Sequence, residues 1–274
     1  MNCKIVFSDV DGTMMDNEHH ILPGSLYAIN QLRKRGIPFV MASGRHPASI
    51  IKIQKDNGFT GPIIAFSGGL VLDEDNTPLF SVQFPLETAK KIISYVEDIG
   101  FDCTWNLFLA DNWIVKDRSH PRVKEEEDII GIEAGRDTIE SLPCDTDVCK
   151  ILYMCEPQDI DEIEQVLRRK FPQIDFVKSS DTHLEVMPKG ISKSLAVREF
   201  CRIRNIPLAD TAAFGDHFND RDMLETAGQG FLMGNAPEEL KKIISPKVCI
   251  IDTNENEGMY KTLSELGLIE RTKS

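Results

Sequence analysis

Two aspartates lie at the end of an apolar run near the start of the chain. Residues 4–13, KIVFSDVDGT, read as a short buried strand that ends at Asp9 and Asp11. Residues two apart on a strand point to the same side, so both carboxylates can face one pocket, while Gly12 lets the backbone turn sharply. An aspartate that starts a turn would explain one carboxylate. Two carboxylates that repel each other and lose hydration require a binding partner.

A hydroxyl group and a lysine each stand near the start of a predicted helix. Ser43 and Gly44 follow the apolar run 38–42, at a strand-to-helix junction where backbone N–H groups favour an anion, although Ser-Gly is also ordinary loop sequence. Lys193 falls in the first turn of a helix that Ser192 can cap. A cation there is unfavourable with the helix dipole, so a nearby anion would compensate it; an exposed surface lysine is the alternative.

Residues 214–220, FGDHFND, place further carboxylates directly after another apolar strand. Capping of the next helix explains Asn219 or Asp220 but leaves Asp216 without a role. Several carboxylates in one pocket call for a divalent cation, and oxygen ligands with open positions suit Mg²⁺. Mg²⁺, a lysine, a hydroxyl and backbone N–H groups are what a phosphoryl group needs, and an aspartate can attack it.

Strand and helix patterns alternate on both sides of a long central stretch. In residues 4–66, and again after Pro188, short apolar runs alternate with helical spacing, which predicts a parallel sheet covered by helices. The stretch between them predicts antiparallel strands backed by two helices. We therefore predict an α/β fold with a doubly wound, Rossmann-like core of residues 1–83 and 187–274 and an inserted α+β domain of residues 84–186. Ligands bind at the carboxyl ends of the strands in such sheets, where the four clusters would meet.

Charge and hydropathy exclude some classes of partner. A net charge of −13 argues against nucleic-acid binding, which needs a basic surface. The apolar runs are much shorter than the roughly 18 residues of a membrane span, and the first residues do not resemble a secretory signal. We expect a cytoplasmic protein, and nothing in the sequence indicates its oligomeric state. Cys3, Cys201 and Cys249 lie within apolar segments, so we expect them to be buried.

The clusters, in this order along the chain, resemble the motifs of the haloacid dehalogenase superfamily of phosphohydrolases. Within that superfamily the chain resembles the Cof-type hydrolases with a type IIB cap, because the insertion lies where that subfamily carries its cap. Four segments carry the resemblance, one for each motif: Asp9 to Thr13, Ser43 to Arg45, Lys193, and Gly215 to Asp220.

The resemblance implies roles for the acidic residues. Asp9 would be the nucleophile that forms an aspartyl-phosphate. Asp11 would protonate the leaving oxygen and then deprotonate the water that hydrolyses the intermediate. Mg²⁺ would be held by the carboxylates of Asp9 and Asp216 and by the backbone carbonyl of Asp11. Asp220 would lie behind them and orient the ligands or Lys193.

The resemblance also implies a phosphate-binding set, which consists of Gly12, Ser43, Gly44, Lys193 and Asn219. The chain departs from the family pattern at Ser43, where members often have threonine, and at His217 and Phe218, where they often have small or acidic residues. The first change keeps the hydroxyl group. The second leaves the roles of His217 and Phe218 open.

A phosphatase acting on small phosphorylated metabolites, above all sugar phosphates, is the function that this resemblance implies. A phosphomutase or phosphotransferase of the same superfamily is the alternative, with a sugar hydroxyl in place of water. A non-enzymatic phospho-acceptor is disfavoured, because receiver domains carry no insertion. A sensor that has lost turnover has no supporting residue loss in this sequence. Three further residues are candidates for contacts with the substrate: Arg45, Arg118 in the basic segment 116–122, and His183. The alternative is that they are ordinary solvent-exposed residues.

Overall fold

The computed structural model describes residues 3–271, and the chain divides into two compact units. The second unit consists of Arg45–Ser49 and Ser81–Ile191, and the first contains Ile50–Phe80 together with the two terminal parts of the chain. The assignment of residues 84–186 as a domain that selects substrates stays a prediction.

The strands and helices are numbered along the chain. The strands are β1 (Ile5–Ser8), β2 (Phe39–Ala42), β3 (Ile63–Ala65), β4 (Leu70–Leu72), β5 (Pro78–Ser81), β6 (Phe84–Pro85), β7 (Cys103–Phe108), β8 (Trp113–Val115), β9 (Asp147–Val148), β10 (Lys150–Cys155), β11 (Ile174–Lys178), β12 (His183–Pro188), β13 (Thr211–Gly215), β14 (Gln229–Leu232) and β15 (Cys249–Ile250). The helices are α1 (Pro23–Lys34), α2 (Pro47–Asp56), α3 (Leu86–Ile99), α4 (Pro121–Ile130), α5 (Ile160–Lys170), α6 (Lys193–Ile203), α7 (Arg221–Thr226), α8 (Glu238–Ile243) and α9 (Gly258–Glu265).

The first unit is built on a sheet with the strand order β15-β14-β13-β1-β2-β3-β4-β5. The central strand β1 runs parallel to both of its neighbours, β13 and β2, and β4 runs antiparallel to β3. All of β1 is buried, which is typical of a parallel strand with both faces covered. On one face, Ile5 and Phe7 pack against α6 and α7, and the rings of Phe7 and Phe200 meet edge to face. The predicted doubly wound α/β fold is confirmed.

The second unit is an α+β layer, as predicted. Its main sheet has the order β11-β12-β10-β7-β8 with antiparallel neighbours, and β6 pairs with β9 beside it. The apolar faces of α3 and α5 bury one side of this sheet, through residues such as Ile92, Val96 and Ile163. Within this unit the hydroxyl of Ser49 donates a hydrogen bond to the carbonyl of Ile130 (2.7 Å).

The structure tests the predicted burial of three cysteines. Cys3 and Cys201 are buried as expected, but the prediction for Cys249 is wrong, because Cys249 lies exposed on the edge strand β15. An apolar run does not distinguish an edge strand from a central one.

Across residues 3–271, the helices are too short or too polar to span a bilayer.

Candidate active site

A buried lysine lies between two aspartates at the carboxyl edge of the first sheet. The ammonium group of Lys193 is 2.5 Å from Oδ1 of Asp9 and 2.5 Å from Oδ1 of Asp220, and the three side chains are almost completely buried. Ser192 caps α6 by accepting a hydrogen bond from the N–H of Leu195 (3.2 Å), which fixes Lys193 in the first turn of the helix as predicted.

Adjacent strands bring the two acidic segments together. Ser8 pairs with Phe214 in the register of β1 and β13, and the N–H of Asp9 donates to the carbonyl of Phe214 (2.9 Å). The segments that follow these strands, which contain Asp9 and Asp216, therefore leave the sheet side by side. This is the geometry expected at the carboxyl ends of parallel strands.

Asp220 ties this cluster to the backbone. While Oδ1 accepts from Lys193, Oδ2 accepts from the N–H groups of Asp216 and His217, both at 3.0 Å. A Cβ atom at position 215 would lie 2.4 Å from the Cβ of Asp220, so only glycine lets the aspartate approach this closely. Asp220 therefore positions Lys193 and the turn that carries Asp216.

Asp216 is also held by the side chains of Thr13 and Asn235, next to Gly12. The hydroxyl of Thr13 donates to Oδ1 of Asp216 (3.0 Å), and the amide of Asn235 donates to the carbonyl of Gly12 (2.8 Å) and, at 3.5 Å, to Oδ2 of Asp216. Gly12 has a φ of +74°, and a Cβ atom there would lie 2.5 Å from Oδ2 of Asp216. Sequence reasoning missed Asn235, which is the third residue after the end of the apolar strand β14.

The acidic side chains carry more negative charge than Lys193 can balance. Burial and the carboxylates of Asp220, Asp216 and Asp11 raise the pKa of Asp9 well above its usual range, even though Lys193 opposes this. Burial, together with Asp220, raises the pKa of Asp216 to about 6. Burial would lower the pKa of Lys193, but the carboxylates of Asp220 and Asp9 outweigh it, so its pKa is raised and the ammonium stays charged.

The donor set fits a hard divalent cation. One carboxylate oxygen from each of Asp9, Asp216 and Asp220 lies within 4.8 Å of the others. Asp220 is fully buried and accepts from the charged Lys193 and from two backbone N–H groups. Asp216 is partly exposed and accepts only from the neutral side chains of Thr13 and Asn235 among the hydrogen bonds described above, so with Asp9 it is better suited to a cation. Oxygen ligands and uncompensated negative charge match what a hard divalent cation requires.

Asp11 differs from the other aspartates in its exposure. About 40% of its side chain is exposed, and Oδ1 lies 3.2 Å from Nδ1 of the exposed His19. A carboxylate in this position can exchange protons with water, which the buried Asp9 cannot do as readily. Sequence reasoning did not find His19, because a turn over residues 16–20 brings it back towards Asp11.

The remaining predicted residues of the first unit lie around this edge. Ser43 is buried and follows β2, whose Met41 pairs with Ser8, so Ser43 and Asp9 leave neighbouring strands at one edge. Gly44 follows Ser43, and Asn219 is exposed in the turn before Asp220. The exposed rings of His217 and Phe218 meet edge to face, 5.5 Å apart.

The other three candidates belong to the second unit. Arg45 donates to the hydroxyl of Ser49 (3.3 Å), and Arg118 lies 3.7 Å from Glu133. Nε2 of His183 is 3.6 Å from the carboxylate of Glu126, beside a cavity of about 180 Å³. Substrate contacts by Arg45, Arg118 and His183 stay predictions.

Comparison with known proteins identifies the family. Residues 6–263 match the family described as haloacid dehalogenase-like hydrolase. A putative phosphatase of Haemophilus influenzae is 34% identical over 97% of this chain and 98% of its own. An HMP-PP phosphatase of Yersinia pseudotuberculosis is 30% identical over 93% of this chain and 92% of its own. A haloacid dehalogenase-like hydrolase from Bacteroides thetaiotaomicron has the same fold, with a TM-score of 0.86 at 23% identity over 96% of this chain and 99% of its own.

These matches confirm the prediction of the superfamily and of an enzyme of the phosphatase class. This chain, in which Asp9, Lys193 and Asp220 form a buried cluster, belongs to the haloacid dehalogenase-like hydrolases.

Proposed function

We propose that this chain is a Mg²⁺-dependent phosphatase that hydrolyses small phosphomonoesters through an aspartyl-phosphate on Asp9. The observation that carries the proposal is the buried contact of Asp9 with Lys193, which Asp220 holds from the other side, next to Asp216. A carboxylate beside a fixed ammonium group is a nucleophile with a cation already in place for the oxygens of its target.

Asp9 and Lys193 perform the phosphoryl transfer. The contact with Lys193 favours the ionised carboxylate that attacks phosphorus, opposing the effect of burial. Lys193 stays protonated and provides N–H donors to the phosphoryl oxygens, while Ser43 and backbone N–H groups at Gly44 supply others. Because these groups are fixed before the substrate arrives, little reorganisation is needed during the reaction.

Asp11 performs the proton transfers. It protonates the leaving oxygen, and the resulting carboxylate deprotonates the water that attacks the aspartyl-phosphate. Its partial exposure and its contact with His19 support this role, because Asp11 reaches solvent whereas the side chain of Asp9 is almost completely buried. Positioned acid–base groups contribute roughly 10²–10⁴-fold to such reactions.

Asp9, Asp216 and the backbone carbonyl of Asp11 would hold Mg²⁺. When bound, the ion supplies positive charge that neutralises the crowded carboxylates and the phosphoryl oxygens. The fit rests on the oxygen donors and on the raised pKa values of Asp9 and Asp216, which report uncompensated negative charge.

The substrate is a small phosphorylated metabolite. The name of the Yersinia relative makes HMP-PP one candidate, and sugar phosphates are the class predicted from the sequence. The cytoplasmic location also stays a prediction.

Replacing the nucleophile tests the proposal. Asp9→Asn should abolish turnover of an aryl phosphate in the presence of Mg²⁺, and acid quenching of the wild-type protein during turnover should leave phosphate on the peptide that contains Asp9. Asp56→Asn is a matched control, because Asp56 is exposed and pairs with Lys52 on α2. Normal turnover by the Asp9 variant would refute the proposal. Product analysis with added acceptor sugars would reveal a phosphotransferase instead.

A further inference from the structure

Two cysteines face each other across neighbouring strands of the second unit. Cys103 begins β7 and Cys155 ends β10, and the antiparallel register pairs them directly. The N–H of Cys103 donates to the carbonyl of Phe101 and the N–H of Cys155 to that of Thr182, both at 2.9 Å, so neither N–H bonds to the opposite cysteine. Such pairs have Cα atoms about 4.5 Å apart. Disulfides span Cα separations of about 4.4–6.8 Å.

The two thiols interact across the strands, and their environments differ. The interaction lowers the pKa of Cys103 and raises that of Cys155. Lys116 and Arg122 add positive charge near Cys103 and lower its pKa further. Cys103 is partly exposed, whereas Cys155 is buried. Cys103 therefore has the access and the thiolate character of an attacking sulfur, with a protonated thiol beside it.

This arrangement sets the pair apart from the other cysteines. Among residues 3–271, the strand registers place no other two cysteines opposite each other. Cys144 and Cys249 are exposed, and Cys3, Cys149 and Cys201 are buried. Neither Cys103 nor Cys155 belongs to the acidic cluster of the first unit.

We propose that Cys103 and Cys155 form a redox-active dithiol that a peroxide converts into an intramolecular disulfide. This modification site is independent of the proposed phosphatase chemistry. The crosslink would join the first residue of β7 to the last residue of β10 without a change of register, because the two residues are already paired.

The reaction is balanced with a peroxide as the oxidant. The thiolate of Cys103 attacks one oxygen of hydrogen peroxide: an S–O bond forms, the O–O bond breaks, and the departing hydroxide is protonated to water. The sulfur of Cys155 then attacks the sulfenic sulfur of Cys103. An S–S bond forms, the S–O bond breaks, and the hydroxide leaves as a second water with the thiol proton of Cys155. The two thiols lose two electrons and the peroxide gains them.

Disulfide mapping of the wild-type full-length protein by mass spectrometry tests the proposal without any variant. The reduced protein, freed of reductant, is treated with hydrogen peroxide, quenched by alkylation, digested without reduction and analysed by mass spectrometry. We expect a linked peptide pair containing Cys103 and Cys155, a loss of two of the seven thiols, and full recovery with dithiothreitol. A different linkage, an unchanged thiol count, or oxidation of Cys103 to a sulfinic acid without a linkage would overturn the proposal.

Single substitutions provide matched controls. Cys103→Ser should prevent the linkage, and Cys155→Ala provides a second variant that lacks the buried partner. Cys144→Ser and Cys249→Ser, at exposed single cysteines, should leave the linkage unchanged. The midpoint of thermal unfolding should rise on oxidation of the wild-type protein and not of Cys103→Ser, since a crosslink restricts the unfolded chain. A lower midpoint of the oxidised wild-type protein would show that the native register does not fit a disulfide and would overturn the proposal.

Discussion

Replacement of Asp220 by asparagine should destabilise the first unit more than any exposed substitution. Asp220 is fully buried and uses both oxygens as acceptors, one for Lys193 and one for the N–H groups of Asp216 and His217. Asparagine has one acceptor oxygen and one NH₂ donor. Whichever way the amide is turned, a donor meets a donor, either at the ammonium group or at the two backbone groups.

The magnitude follows from the burial of these groups. Removal of one partner from a buried ion pair costs about 3–5 kcal/mol. Lys193 keeps Asp9 as a second partner, which moderates that loss. The NH₂ group of the asparagine faces other donors, however, and leaving a buried donor without an acceptor costs about 1–3 kcal/mol. We expect the variant to lose about 3–5 kcal/mol in total. This is a large share of the roughly 5–15 kcal/mol that stabilises a typical domain.

The assay must report on the first unit. Both tryptophans of the chain, Trp105 and Trp113, lie in the second unit, so their fluorescence would follow the wrong transition. Native-state hydrogen exchange measured on peptides from β1, α6 and the turn before α7 gives the opening free energy where the change is made. Asp56→Asn serves again as the control, with an expected change within about 0.5 kcal/mol.

A double-mutant cycle provides the refuting result. Lys193→Met alone leaves Asp9 and Asp220 buried without their cation, whereas combining it with Asp220→Asn removes one charge of each sign. The double variant should therefore be less destabilised than the sum of the single ones, by about 0.5–3 kcal/mol. Additive losses, or an Asp220 variant that exchanges like the wild-type protein, would refute the reasoning that Asp220 acts through Lys193.

Four further outcomes are expected. Asp11→Asn should lower turnover of an aryl phosphate by roughly 10²–10⁴-fold while thermal unfolding is unchanged; full activity would exclude its acid–base role. Excess EDTA should abolish turnover and added Mg²⁺ restore it, whereas activity that survives chelation would contradict a metal-dependent site. Gly12→Ala should impair both stability and turnover, because Gly12 has a φ of +74° and a Cβ atom there would clash with Asp216. Gly36→Ala is the control: Gly36 has a φ of +69° but open space around it, so the change should cost only about 1–2 kcal/mol of stability. Equal effects of the two substitutions would contradict the close approach of Asp216 to Gly12. Burial, aided by Lys150, lowers the pKa of His46 from 6.5 to about 4, so the unfolded chain takes up a proton there before the folded one does. The free energy of unfolding should therefore fall by up to roughly 3 kcal/mol as the pH drops from about 6.5 to about 4, a component that His46→Gln should lack in urea titrations at each pH.

Much of the first unit could be predicted because its signals are local. Each of Asp9, Ser43 and Asp216 follows an apolar run, and the carboxyl ends of parallel strands share one edge whatever the details of packing. The glycine at position 12 and the serine that caps α6 are equally local signals. These rules explain why the sequence was enough to predict which segments would lie together.

The contacts that depend on long-range folding could not be predicted in the same way. From the residues alone a helix cap explained Asp220, and its contact with Lys193, 27 residues away on α6, was implied only by the family resemblance as one of two alternatives. Asn235 reaches Gly12 only because the loop after β14 folds back over the same edge. The exposure of Cys249 depends on β15 being the last strand of the sheet, which its apolar sequence does not encode.

The charges around Lys193 connect the fold to the need for a metal. A lysine in the first turn of a helix interacts unfavourably with the helix dipole. Two carboxylates, those of Asp9 and Asp220, compensate for this by pairing with Lys193. Asp11 and Asp216 add further negative charge, which is felt at Asp9 as a raised pKa. A phosphate ester is itself an anion, so it would meet a site whose single ammonium group is already shared by Asp9 and Asp220. An added cation would reverse that repulsion, and our proposal assigns it to the oxygens of Asp9 and Asp216.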